Sequence, residues 1–129
     1  MTERLEIRES DDVVRVRQRV RAGAVEVGLS LVDQTKIVTA ASELARNTLV
    51  HGGGGAVEIE VVNSPRPCVR LVFEDHGPGI KDIQAAMRDG FTTGGGLGLG
   101  LGGAKRLCSD FGIESAPGRG TRVMCARWK

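Results

Sequence analysis

Glu43, Asn47 and His51 stand four residues apart. On a helix that spacing turns each side chain only about 40° from the last, so a carboxylate, an amide and an imidazole share one stripe. A neutral amide suits Mg²⁺, because one side-chain oxygen can join phosphate oxygens and water around the ion. A carboxylate one turn earlier can take the proton of an attacking hydroxyl or orient a water. An exposed helix face with ordinary polar residues has the same spacing, so the triplet alone leaves both readings open.

Three more clusters follow in order: Asp75-His76-Gly77-Pro78-Gly79, a glycine-rich run from Gly94 to Gly103, and Gly118-Arg119-Gly120-Thr121. Asp75, at the end of an apolar alternation, can accept from the amino group of adenine. Gly77 and Gly79 would let backbone approach a flat base with no Cβ in the way. A plain Asp-capped turn explains the same residues equally well. The glycine run fits a lid that leads into a helix start, where free amides hold phosphate oxygens. Gly98, Gly100 and Gly103 satisfy GxGxxG, yet no apolar strand precedes them and no GKS or GKT follows. A dinucleotide fold and a Walker loop are therefore both excluded. Thr121 can complete an adenine pocket through its hydroxyl and a water, or can simply enter a strand. His51 and His76 stand beside no nucleophile and form no metal-ligand pair, so they read as pocket-edge or structural residues. Together the clusters describe a pocket for ATP and one Mg²⁺.

The elements that must position these residues can be read from periodicity. Leu5 to Arg8 suggests a short edge strand, and Ser10 a helix cap with Asp11 and Asp12 in the first turn. Val13, Val16, Val20 and Val27 keep helical spacing, and Gly28 suits the stop. A second helix is expected from Ser30–Asp33 to about Val50, burying Ile37, Ala40, Ala41, Leu44 and Thr48, with Gly52 to Gly55 ending it. Val57, Ile59 and Val61 and then Val69, Leu71 and Phe73 alternate as two strands around Ser64-Pro65-Arg66-Pro67. A short helix over Lys81–Arg88 is expected next. A helix spaced by Leu97, Leu101, Ala104, Cys108 and Phe111 follows, and then a hairpin of Ile113–Ser115 and Thr121–Arg127. The expected fold class is α+β: a two-layer α/β sandwich with helices on one face of a mixed, mainly antiparallel sheet. One domain over residues 1–129 accounts for the whole pattern.

A net charge of +2, with no long basic run and no interleaved aromatics, argues against nucleic acid as the partner. Arg15, Arg17, Arg19 and Arg21 read as the solvated side of the first helix. Cys68, Cys108 and Cys125 lack CxxC spacing, so free thiols in a reducing compartment are expected. No apolar stretch approaches membrane-spanning length, and the charged start lacks a signal region, which points to the cytoplasm.

In order and spacing these clusters resemble the Bergerat-fold ATPases, the GHKL superfamily of gyrase, Hsp90, histidine kinases and MutL. Glu43–His51 resembles the N box, Asp75–Gly79 the G1 box, Gly94–Gly100 the G2 box, and Gly118–Thr121 the last glycine box. Within the superfamily, Ile37 to Asn47 is most similar to the bacterial serine kinases of sigma-factor regulation, the stressosome switch kinases above all. That resemblance implies Mg-ATP-dependent phosphorylation of serine or threonine on STAS-domain scaffold and antagonist proteins. It also implies a downstream phosphatase as the next partner. By the same resemblance Asn47 is the Mg²⁺ ligand and Glu43 the catalytic base. Asp75, Gly77, Gly79 and Thr121 belong to adenine, with His51 and Thr93 at the pocket, and Gly96, Leu97, Gly98, Leu99 and Gly100 near the phosphates. Arg46 and Lys105 are secondary candidates for phosphate contacts. Neither a dimerisation helix with a phosphoacceptor histidine nor a transducer domain is expected with these 129 residues. An anti-sigma kinase that also binds a sigma factor, and a non-catalytic module shaped by nucleotide, are the alternatives.

Overall fold

Two helices pack on one face of a five-stranded sheet in the computed structural model, which describes residues 2–80, 82, 84, 87, 92–93, 97–98 and 100–129, Thr92, Thr93, Leu97 and Gly98 by backbone alone. In chain order the elements are β1 (Thr2–Ile7), α1 (Ser10–Glu26), α2 (Leu31–Val50), β2 (Gly55–Val62) and β3 (Cys68–Asp75). They continue with β4 (Thr92–Thr93), β5 (Leu97–Gly98), α3 (Leu101–Arg106), β6 (Asp110–Ala116) and β7 (Gly120–Trp128). The large sheet runs β1-β2-β3-β7-β6, and all four of its pairings are antiparallel. The short strands β4 and β5 pair with each other.

Alternation decides which side of the sheet is buried. Val57, Ile59, Val69, Leu71, Phe73, Val123 and Cys125 meet Val16, Val20 and Ala24 of α1 and Ile37, Ala40, Ala41 and Leu44 of α2 in one core. The open face carries rows of ion pairs instead: Arg4 with Glu58, Arg70 with Glu60, and Arg122 with both Glu74 and Glu114. Arg127 is the exception to an apolar inner face. Its guanidinium binds Asp33 at 2.9 Å and donates to the Leu107 carbonyl at 3.3 Å, so β7 holds both the start of α2 and the exit of α3.

Several boundaries differ from the expectations. The edge strand starts earlier, at Thr2, and ends before Arg8. Glu9 rather than Ser10 caps α1, because the Asp12 carboxylate turns back to accept from the backbone of Arg8 (2.9 Å) and Glu9 (3.1 Å). Ser30 does cap α2, accepting from Asp33 N. The expected helix through Cys108 and Phe111 is only Leu101–Arg106: Leu97 lies in β5 and Phe111 in β6, opposite Cys125. The final hairpin is correspondingly longer than expected. The expected helix over Lys81–Arg88 lies largely outside the described residues. Cys68 and Cys125 are buried and unpaired. Burial pushes the Cys68 thiol up, and the neighbouring Cys108 sulfur together with burial pushes Cys125 up further.

The Arg8 amide, with help from the Glu9 amide and the Arg15 guanidinium, holds the Asp12 carboxyl below its ordinary value. A depressed folded-state value contributes stability that is present above the unfolded pKa and lost as pH falls through the folded one. Asp12→Asn is therefore expected to lower the unfolding midpoint at neutral pH and to flatten its fall below about pH 4, read by thermal denaturation from pH 3 to 7.

Candidate functional site

Helix α2 supplies one wall of a cleft and the ends of β3 and β7 supply the other. Leu44, Asn47, Thr48, His51 and Gly52 line it from the helix, and Phe73, Asp75, Thr121 and Val123 from the sheet. Gly79, Ile80 and Leu101 complete it. The space, counting the part open to solvent, is about 450 Å³. The walls are mostly apolar with a few polar groups converging, as a flat heterocycle with one polar edge requires.

Asp75 is the best-fixed of these groups. Its Oδ1 accepts from Gly77 N at 2.9 Å and from Thr121 N at 3.2 Å, so the carboxylate joins the turn after β3 to the start of β7. Close backbone approach makes this possible. A Cβ on Gly52 would lie 2.4 Å from the Asp75 carboxyl carbon, and one on Gly77 would lie 2.7 Å from the Gly52 Cα. A Cβ on Gly120, whose φ is +82°, would meet the Asp75 carbonyl oxygen at 2.1 Å. Gly79, also at positive φ, sits equally tight on the Ala116 carbonyl. Three glycine segments thus close around one residue, Asp75.

The same loops hold each other by hydrogen bonds. Gly118 N donates to the Pro78 carbonyl at 2.7 Å. Ser115 Oγ accepts from Ile80 N at 2.8 Å, donates to the Gly120 carbonyl at 3.0 Å and lies 2.8 Å from Thr121 Oγ1. On the helix side, the buried Thr48 hydroxyl returns to the Leu44 carbonyl at 2.9 Å, and its methyl faces Gly55 at the start of β2.

Of the residues expected to act, Asn47, His51, Asp75, Gly79 and Thr121 come together in this cleft, with Gly77 directly behind Asp75. Glu43 stands apart from them. It binds Arg46 at 3.1 Å and lines a different hollow, between α1 and α2, with Arg17, Arg21, Thr39 and Ser42. It touches the end of the glycine run, since a Cβ at Gly100 (φ +69°) would lie 2.5 Å from Glu43 Oε2. Arg46 is thus already engaged with Glu43. Gly96 and Leu99 lie outside the described residues, and the side chains of Thr93 and Leu97 are not described. The turn from Gly100 into α3 does occur as expected of the run's end. Among the described residues, no group of three His, Cys, Asp or Glu side chains could hold a metal. A Mg²⁺ beside Asn47 would therefore depend on phosphate and water for its other ligands, which is how that ion is usually held.

Sequence reasoning names Thr48 for the helix core and Gly52 for the helix stop, and neither these nor Ser115 and Ile80 as residues of the site. Gly52 could have been so named: it follows His51 by one residue, at the point where the helix must stop against whatever faces His51.

Comparison with known proteins agrees with this geometry. The family profile described as histidine kinase-, DNA gyrase B-, and HSP90-like ATPase matches residues 32–129. The serine/threonine-protein kinase RsbT of Bacillus subtilis is 46% identical over 118 residues, spanning 91% of this chain and 89% of that one. An anti-sigma F factor of Bacillus licheniformis is 32% identical over 114 residues, spanning 83% and 77%. In structure, the RsbU and RsbW domains of a Mycobacterium tuberculosis protein superpose with a TM-score of 0.67 at 23% identity, over 99% of this chain and 32% of that one.

A side chain at position 52 must displace Asp75. Gly52→Ala is expected to weaken binding of a fluorescent ATP analogue about tenfold or more. Gly112→Ala, where the nearest atom to a new Cβ is the Met124 methyl at 3.9 Å, is expected to leave it unchanged in the same titration.

Proposed function

Because the chain belongs to the family of histidine kinase-, DNA gyrase B- and HSP90-like ATPases, we propose that its cleft holds Mg-ATP and that Glu43 serves the transfer of the γ-phosphoryl group to a STAS-domain protein. The chain is a protein serine/threonine kinase of the partner-switching kind. The identity to RsbT over nine-tenths of the chain carries the kinase reading. The fixed carboxylate of Asp75 in an apolar cleft carries the nucleotide reading.

In this reading Asp75 accepts from the exocyclic amine of adenine through the oxygen not committed to Gly77 and Thr121. Phe73, Val123, Leu44 and Ile80 give the ring its apolar contacts. His51 closes the edge of the cleft, and Asn47 lends its amide oxygen to Mg²⁺, which supplies charge neutralisation at the phosphates. Gly98 and Gly100, at the end of the glycine run, bring backbone amides rather than side chains to the phosphate end. Glu43 orients the acceptor hydroxyl and takes its proton in a direct in-line displacement. A partner hydroxyl reaches it from the hollow between α1 and α2, where Arg17 and Arg21 suit an acidic segment. The cytoplasm is the proposed compartment, and among the described residues no helix is long and apolar enough to cross a membrane.

A specific observation also favours a second reading. The identity to anti-sigma F factors admits an inhibitory complex with a sigma factor as a further activity. Co-purification with candidate sigma factors in the presence of ATP tests it.

The kinase reading predicts one added phosphate, seen by intact mass, on a STAS-domain partner incubated with Mg-ATP and this protein. Glu43→Ala is expected to slow that transfer about 10²- to 10⁴-fold while ATP still binds. Asn47→Ala is expected to shift the Mg²⁺ dependence to higher concentration and to leave metal-free nucleotide binding within about threefold. No phosphate on any such partner, with ATP bound, would overturn the proposed substrate.

A further inference from the structure

Cys108 and Cys125 take no part in the cleft, yet the fold brings them into contact. Cys125 lies on β7 opposite Phe111, fully buried in the core. Cys108 follows the end of α3 and is half-buried against the same core. Ser109 N donates to the Ala126 carbonyl at 2.8 Å, which lays the exit of α3 against β7 one residue beyond each cysteine. The Cys125 S–H donates to the Cys108 sulfur. Of the two touching thiols, one is reachable from solvent and the other is not.

A cation stands beside them. Arg127, two residues after Cys125 and so on the same side of β7, binds Asp33 through one terminal nitrogen. Its other terminal nitrogen donates to the carbonyl of Leu107, the residue before Cys108. The Arg127 Nε is buried and has no hydrogen-bond partner among the described residues. The bond from Cys125, and then the Arg127 charge, hold the Cys108 thiol below its ordinary value against the effect of burial. Cys125 goes the other way, pushed well up by its contact with Cys108 and by burial. A reachable thiol that ionises easily is an attacking group, and a touching thiol behind it can resolve what it forms. The main hold on the Cys125 proton is the Cys108 sulfur itself, and that hold weakens once this sulfur is bonded to another.

We propose that Cys108 and Cys125 form a redox site for small-molecule disulfides, in which Cys108 attacks, Cys125 resolves, and an internal disulfide ties the exit of α3 to β7. The Cys108 thiolate attacks one sulfur of the small disulfide, whose S–S bond breaks to release one thiolate. Cys125 then attacks the Cys108 sulfur, and the mixed S–S bond breaks to release the second. The two leaving thiolates take up the protons given up by Cys108 and Cys125. Two protein thiols are thus oxidised by two electrons, and the small disulfide is reduced to two thiols. The new bond would fasten the far end of the helix whose first residue, Leu101, lines the cleft. Cys68 is an internal control. It lies on the other side of the sheet, in line with Arg70, and burial pushes its thiol up.

The probe is hydroxyethyl disulfide, added to the folded full chain without nucleotide and followed by intact mass and then by peptide mapping. The result is therefore independent of what the cleft binds. Wild type is expected to lose two hydrogens, to keep no adduct, to map the bond to Cys108 and Cys125, and to return to its starting mass with dithiothreitol. Cys125→Ala is expected to stop at one hydroxyethylthio adduct on Cys108. Cys108→Ala is expected to react about tenfold more slowly or less, and Cys68→Ala to behave as wild type. Three wild-type results would each overturn the proposal: an adduct that stays on Cys108, first reaction at Cys68, or a disulfide between two chains. No reaction at all would overturn it too. Should the Cys125 variant not fold, wild type quenched with acid at early times decides the order, since the adduct on Cys108 must precede the loss of hydrogens.

Discussion

The rest of the site depends on one steric constraint: main chain must pack closely around Asp75 from three directions. The end of α2 arrives through Gly52, the turn after β3 through Gly77, and the start of β7 through Gly120. No residue with a Cβ could stand at any of the three without moving the carboxylate or a carbonyl. In return the oxygen that holds the loops together is satisfied by two backbone amides, which do not rotate or change charge. The cleft is therefore shaped before any ligand arrives, and its polar edge is set by backbone rather than by flexible side chains.

A second set of contacts ties that edge to the body of the protein. Leu44 and Thr48 belong at once to the buried stripe of α2 and to the cleft wall, so the packing that folds the helix also orients Asn47 one residue before Thr48. At the other end of the helix, Arg127 holds Asp33 to β7 and the Leu107 carbonyl to the same strand. The helix is thus fastened at both ends and along its length to the sheet it faces.

Much of this was legible in the chain because it is local. Helical spacing from Ile37 to Thr48, alternation in Val57–Val61 and Val69–Phe73, and the stop at Gly28 all report on neighbours within a few residues. Asp75 and Thr121 could be named from their place at strand ends beside glycines. Contacts between distant segments were not legible. Nothing near Gly52 announces that Asp75 will face it, and nothing near Ser115 announces Ile80. The helix drawn through Phe111 failed for a related reason: Leu101, Ala104, Cys108 and Phe111 keep a helical interval, but pairing with β7 offers Phe111 a half-buried place opposite Cys125, and the strand wins. The cap at Glu9 in place of Ser10 shows the same competition on a smaller scale, since the Asp12 carboxylate reaches back past the serine.

Glu43 and Asn47 are one turn apart on α2, yet they line different hollows. On the proposed reading, one side of the helix serves the nucleotide and the other serves the client protein, and the two meet where Glu43 touches Gly100. Descendants of such a chain are then free to drift on the α1 side, trading one client protein for another, while the purine side stays under unchanged selection. A single scaffold could in this way diversify into a set of insulated signalling routes that all draw on the same nucleotide.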